Sequence, residues 1–384
     1  MTVFRIFCLS FLFLLLVFLP LSSLSANASP RSRPVRVALL KGAEHFSVAV
    51  DGRYEILDGK TRRVLKKGAR LKKSLVMVKG RATRIGEESF LEERVVLEPM
   101  DRIPVLINNR PYRGDILIIR SPEGLTAINY VDLERYVQGV LYREISDKWP
   151  LEAIKAQAVA TRTYAIYSQQ TYAGRDYDVT SDVYSQVYGG KAAERYRTNL
   201  GVKRTRGEVL TYGGKIFPTF FHANSGGITE SAAELWTIDL PPLRGGIRSS
   251  FSVDSPHYRW KRNLRLKDIQ DKLNAKGYSI GLIKEISIQE RNPSGRVRRI
   301  LLTSRDGQTL ELSGKDFRQI VGPDILKSNL YEIEMQGWYV DFVGHGWGHG
   351  VGLDQWGARN MARERFTYQQ ILQFYYPGSS LTKE

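Results

Sequence analysis

The sequence predicts an α+β fold, in which a helical core with antiparallel β segments is joined to a β-rich N-terminal lobe. Three observations predict it. Residues 35 to 100 hold short alternating runs broken by turn dipeptides. Residues 133 to 167 place apolar side chains at helical spacing. From Val209 onward, strand-like runs return between Gly-rich or polar turns, with no internal repeat.

Taken in order, the first 28 residues have the layout of an export signal. Arg5 precedes the apolar stretch Ile6–Leu21, and Ala26-Asn27-Ala28 offers a small-residue cleavage site. The alternative is an uncleaved membrane anchor, since the apolar run approaches bilayer-spanning length. Either way, most of the chain is expected outside the cytoplasm, in the periplasm or cell envelope. Val35–Leu39 and Phe46–Val50 alternate as strands, with turns at Asp51-Gly52 and Asp58-Gly59. Ile103–Ile107 and Asp115–Arg120 suggest a hairpin around residues 109–114. The β-rich accessory lobe is thus expected over residues 29–100.

Leu133–Ile145 (LERYVQGVLYREI) reads as a helix capped by Asp132. Leu133, Val137, Val140 and Leu141 fall on one face at i, i+4, i+7 and i+8. Glu144 comes at i+11, near the middle of the same stripe. A carboxyl pressed against apolar neighbours loses hydration, which raises its pKa and suits it to general acid catalysis. The other reading is a helix that frays before Glu144 and leaves it in solvent. A second, alanine-rich helix starts at Pro150, a residue favoured in a first turn, and runs to about Tyr167. Strands follow at Val209–Tyr212, Ile216–Phe221, Ile283–Gln289, Arg296–Thr303 and Thr309–Leu312. Thr367-Tyr368-Gln369-Gln370 fits a capping box for a third helix that Pro377-Gly378 ends.

Composition narrows the functional classes. Cys8, inside the leading segment, is the sole cysteine, so the mature chain has no disulfide, thiolate nucleophile or cysteine metal site. The formal charge is +17, to which the first 28 residues add only Arg5. Such an excess draws a protein to anionic surfaces; for an exported chain these are lipid headgroups, wall polymers and acidic sugars, with nucleic acid not expected.

Three polar clusters stand out. Ser181–Gly190 interleaves hydroxyls, amides and tyrosines, as sugar binding or an ordinary polar turn would. His222-Ala223-Asn224-Ser225-Gly226-Gly227 places a serine beside glycines but lacks Gly-x-Ser-x-Gly. In Gly344–Gly357, glycine at every second position permits close backbone approach, giving a tightly turned loop that presents histidines and tryptophans to a cleft. His345 and His349 have zinc-ligand spacing, but the glycines oppose a helix and no His-Glu-x-x-His is present. No metal and no cofactor are expected.

In this order and spacing, Val140–Ala165, Ser185–Gly190, Ser225–Glu230, Gly346–Ala358 and Tyr375–Gly378 resemble the stage II sporulation protein D family, also called the SpoIID/LytB domain. The resemblance spans roughly residues 100 to 381 and makes 101–384 the expected catalytic domain. It implies a lytic transglycosylase acting on peptidoglycan glycan strands, favouring strands stripped of peptide stems, with Glu144 at the position of the family's catalytic acid. Some relatives are described as enhancers of a partner amidase, so a non-catalytic wall-binding role is the alternative. Gln186, Ser225 and His349 are candidates for holding sugar hydroxyls or developing charge, and Tyr188 and Gln355 for binding substrate. Arg162 either contacts the lactyl group of muramic acid or anchors the Glu144 helix. The chain departs from the family at Gly352-Leu353-Asp354-Gln355-Trp356-Gly357, where Gly-Met-Ser-Gln-Trp-Gly is frequent. The cysteine-histidine metal site of certain relatives does not carry over.

Overall fold

Twelve strands build the N-terminal region of the computed structural model, which describes residues 33–182 and 185–383. The expected export signal at 1–28 lies outside the described residues. In chain order the strands are β1 (Val35–Ala43), β2 (His45–Val50), β3 (Tyr54–Asp58), β4 (Val64–Gly68), β5 (Leu71–Lys79), β6 (Ala82–Ile85), β7 (Glu88–Phe90), β8 (Arg94–Pro99), β9 (Val105–Ile107), β10 (Arg110–Tyr112), β11 (Asp115–Ser121) and β12 (Gly124–Val131). They form two sheets. One runs β1-β12-β11-β8-β3-β4, with Val179–Thr180 added parallel to β1; the other runs β10-β9-β2-β5-β6-β7.

Two sequence expectations change here. The β-rich lobe does not stop near residue 100, because β11 and β12 sit in the middle of the first sheet, between β8 and β1. The hairpin expected between 103–107 and 115–120 is instead two hairpins. Asn108 and Asn109 both adopt positive φ and close β9 onto β10 in two residues, with Ile107 opposite Arg110. β11 then turns back on β12, with Ser121 opposite Gly124.

The helices are α1 (Leu133–Glu144), α2 (Leu151–Thr171), α3 (Tyr196–Arg204), α4 (Ala233–Trp236), α5 (Leu266–Asn274), α6 (Gly314–Val321), α7 (Gln355–Arg363) and α8 (Tyr368–Tyr375). The α1 stripe of Tyr136, Val137, Val140 and Leu141 joins Ile154 and Ala158 of α2 in one apolar core with Val35, Val37, Ile116 and Ile118 of the first sheet. Alanines at 153, 156, 158 and 160 keep α2 thin, so α7, α8 and α1 all approach it closely. The capping box at Thr367 and Gln370 is formed at the start of α8. Of the strand expected at 216–221, only Lys215–Ile216 and Phe221–His222 are paired, because Pro218 has no N–H for a ladder.

Residues 259–345 build a distinct apolar core. One sheet there pairs Arg259–Arg265 with Tyr339–His345 and Tyr331–Gln336; another joins Ile283–Arg291, Val297–Ser304 and Thr309–Ser313, with α5 and α6 packed alongside. No helix among the described residues is long and apolar enough to cross a membrane.

Candidate active site

Glu144 is the last residue of α1. Asp132 caps the start of the helix by accepting the Arg135 N–H at 3.1 Å, and the Ile145 N–H closes its end on the Leu141 carbonyl at 2.9 Å. The side chain is half-buried in the wall of a cleft of about 890 Å³. Its Oε1 accepts the Val187 N–H at 2.8 Å, and the Gln355 side chain also hydrogen-bonds to it. Burial raises its pKa above the ordinary value, against the pull of those two hydrogen bonds. No cation forms a salt bridge with it among the described residues. Among the described residues no cation balances this desolvated carboxyl, which favours its neutral form relative to an exposed glutamate.

The opposite wall comes from the glycine-rich segment after Tyr339–His345. Gly346, Gly348, Gly350 and Gly352 all have positive φ, so the loop changes hand at every second residue. A Cβ at Gly352 would lie 2.1 Å from the Phe220 carbonyl oxygen, and one at Gly348 only 2.8 Å from the His222 Cβ. The glycines thus admit a second chain segment: Asn224 and Trp347 exchange backbone hydrogen bonds, and Phe221–His222 pairs parallel with Leu353–Asp354. Trp347, Trp356, Trp149 and His257 line the same cleft. Trp149 meets Trp356 edge-on at 5.5 Å, and His257 meets Trp347 at 4.6 Å. The three indoles are half-buried, with Lys327 over the Trp347 ring and Arg359 over the Trp356 ring, so they offer the cleft aromatic surface of the kind on which sugar rings pack. Asp147 also lines the cleft and is a second carboxylate on the Glu144 side.

The histidines are held neutral. His349 Nδ1 accepts the Val351 N–H at 3.0 Å while the Phe221 carbonyl takes a bond from the ring; burial and the facing His222 keep its pKa well below the usual value. His222 donates from Nδ1 to the Val351 carbonyl at 3.1 Å, its Nε2 has no partner among the described residues, and burial pushes its pKa down to about 3. Neither ring is a proton donor at neutral pH.

Of the residues singled out from sequence, Glu144, His349 and Gln355 meet in the cleft. Gln186 lies buried beside Val187, accepting the Tyr136 hydroxyl at 2.9 Å, with its amide nitrogen unpartnered among the described residues. Tyr188 is a core side chain that stacks on Tyr136 at 5.3 Å and donates to Asn129 at 2.9 Å. Ser225 is fully buried; its N–H donates to Asp354 at 2.8 Å. Arg162 has no exposed surface and grips Glu134 at the start of α1 with two bonds of 2.8 Å, so it ties α2 to the Glu144 helix and does not reach the cleft. Asp354, the departure from the family pattern, is equally buried. It caps α7 through the Gly357 N–H at 2.9 Å and presents nothing to the cleft. Trp149, Asp147 and His257 were not singled out. Trp149 follows the Glu144 helix directly and was findable; His257 carries no periodic or motif signal.

Comparison with known proteins places the chain in a family. The model of the SpoIID family (stage II sporulation protein) matches residues 121–212, which hold α1, α2 and Glu144. A domain of unknown function matches residues 247–352, the distinct lobe together with the glycine loop. The chain is 30% identical to an uncharacterized protein of Brachyspira hyodysenteriae over 90% of its length and 91% of that protein's. It is 28% identical to the amidase enhancer of Bacillus subtilis over 64% of its length, but spans only 40% of that relative. With stage II sporulation protein D of Bacillus subtilis it shares 30% identity over 67% of its length and 76% of that protein's. The chain belongs to the stage II sporulation protein D family.

Proposed function

We propose that the protein is an exported peptidoglycan lytic transglycosylase, cleaving the bond between muramic acid and glucosamine in glycan strands with Glu144 as acid and then base. The observation that carries this reading is the Glu144 carboxyl, raised in pKa and with no salt-bridge partner among the described residues, in the wall of a cleft lined by three tryptophans. Protonated Glu144 gives its proton to the bridging oxygen as the glycosidic bond breaks. The carboxylate left behind, held by the Val187 N–H and the Gln355 side chain, takes the proton of the muramoyl C6 hydroxyl. That oxygen closes on the anomeric carbon of its own sugar, giving a 1,6-anhydro end without water. An internal nucleophile of high effective concentration stands in for a second carboxylate.

The competing chemistry is hydrolysis, which uses two carboxylates flanking the bond, and Asp147 is a second carboxylate in the cleft lining, although on the Glu144 side. Digestion of sacculi, intact and amidase-treated, followed by mass analysis of released sugars separates the two. Anhydro ends support transglycosylation; reducing ends overturn it. The relative named amidase enhancer supports a second reading, a wall-binding protein that stimulates an amidase. In that case Glu144→Gln leaves stimulation intact, whereas an enzyme loses turnover.

A further inference from the structure

The two N-terminal sheets differ in their outer faces. On the first, outward Leu57, Val96, Leu117, Ile119 and Ile128 are buried, with Tyr130 and Tyr177 packed against them. On the second, no such apolar cluster covers the face among the described residues. Its inward residues, Phe46, Val48, Val76, Ile85 and Ile107, fill the core. The register puts their alternates outside: Pro111 opposite Leu106, Leu106 opposite Ala49, Ser47 opposite Leu75, and Met77 between His45 and Arg84. Leu75 is 47% exposed, while Ala49, Met77 and Leu106 are half-buried and join none of the apolar cores. An apolar strip thus crosses the outside of β10, β9, β2 and β5, where folding does not require one.

Cations flank the strip. Lys73 and Lys79 stand on β5 on either side of Leu75 and Met77, and both are exposed. Arg84 lies beside Met77 and donates to the Gly86 carbonyl at 2.7 Å. Lys66 and Lys67 of β4 are paired with Glu88 and Glu55, whereas Lys73, Lys79 and Arg84 have no carboxylate partner among the described residues. No residue that the register assigns to this face is acidic. Glu88 of β7 sits opposite Ile85, and so on the core side.

An uncovered apolar strip edged by unpaired cations is complementary to an anionic bilayer, where the cations meet headgroups and the apolar side chains enter the boundary beneath them. We propose that the outer face of the second sheet seats the N-terminal lobe on an anionic phospholipid surface. Lys73, Lys79 and Arg84 take the phosphate groups, and Leu75, Met77 and Leu106 enter the headgroup layer. A polyanionic wall polymer would match the cations but leave Leu75 and Met77 nothing apolar to bury against, so the strip decides for lipid. This surface is independent of the chemistry assigned to Glu144.

The test is co-sedimentation with vesicles of phosphatidylcholine alone and of phosphatidylcholine mixed with phosphatidylglycerol. It uses the chain from Ser29 onward, because the apolar leader would bind lipid by itself, and Arg33–Glu384 is a compact unit without it. Binding is expected to the mixed vesicles and not to the neutral ones. Lys73→Glu with Lys79→Glu should weaken it by about tenfold or more. Lys272→Glu with Lys276→Glu, exposed lysines in and just after α5, changes the net charge equally and should leave binding within about twofold. Leu75→Ser keeps the charge and should weaken binding by about threefold or more, through lost apolar contact. An equal loss from the two lysine pairs would make net charge the cause and overturn the surface. Binding unaffected by Leu75→Ser would overturn lipid as the partner, leaving a polyanion. Dimers that form without vesicles and are lost in Leu75→Ser would mean that a second copy covers the strip, which also overturns the proposal.

Discussion

One helix carries two glutamates with opposite fates. Glu134, in the first turn of α1, is buried and held bidentate by Arg162. Glu144, at the last turn and about 15 Å further along the axis, faces a cleft with no cation among the described residues to balance it. Residue type and helix are the same; the partner decides. A guanidinium converts the first carboxylate into a tie between α1 and α2. The Val187 N–H and an amide leave the second free to exchange a proton. The tie serves the exchange, because Arg162 fixes the helix whose end aims Glu144.

The sharpest way to break this contrast is to neutralise each end. Glu144→Gln should lower release of anhydro-ended sugars by about 10³-fold or more, the scale of lost acid–base catalysis, with no loss of thermal stability because a desolvated acid becomes a neutral amide. Over the accessible pH range, kcat/KM of the unsubstituted protein should fall as pH rises through the raised Glu144 pKa, since the first step needs the protonated form. Arg162→Met should do the reverse. It strands Glu134 and the carbonyls of Glu208 and Val202, costing about 3–5 kcal/mol in urea unfolding. Turnover per folded molecule should stay within a small factor. Pairing it with Glu134→Leu should recover much of the loss, because no charge is then left buried alone. If Arg162→Met instead removes activity from a fully folded protein, the division between tie and acid fails.

Asp354→Asn tests a third carboxylate, on the far wall. Asp354 accepts the Ser225 N–H at 2.8 Å and the Gly357 N–H at 2.9 Å through its two oxygens. An asparagine turns one oxygen into a donor facing a donor, so a loss of about 1–3 kcal/mol is expected. Thermal unfolding measures it. A stability unchanged by the substitution would mean that the cap carries little of the loop's geometry.

How far the sequence revealed this depended on range. Glu144 on the α1 stripe and the Thr367 box of α8 are local patterns, and each is present. The Glu134–Arg162 tie was half visible: Arg162 had anchoring among its two readings, but nothing local links positions 28 residues apart. The pairing of Arg259–Arg265 with Tyr339–His345 spans about 80 residues of intervening lobe, and no periodicity announces it. Asp354 was misjudged for a different reason. An acidic residue opening Gln355–Arg363 is an N-cap signal, but the surrounding glycines suggested loop throughout. His222 was visible only as part of a polar cluster; its place in the cleft depends on Gly348, a residue far along the chain that leaves room for it.

The smallest effect is the most direct reading of the proton itself. Glu144 has a raised pKa in the folded chain, so the native state holds a proton that the unfolded state, near the ordinary value of about 4.3, has already released. Below that value both states are protonated and the group contributes nothing to pH dependence. As pH rises from there to the native pKa, the unfolded state is favoured and stability falls; above the native pKa the penalty is constant. Asp115, raised to about 6, and the buried Glu230 and Asp354 add terms of the same sign, so a single curve cannot assign the slope. Subtraction can, because Glu144→Gln removes one titration and keeps the others. The difference between the two proteins in urea-unfolding free energy should be flat at low pH, decline across that window and flatten again. A flat difference throughout would place Glu144 at an ordinary pKa, and the two ends of α1 would then no longer differ in the way that the proton transfer requires.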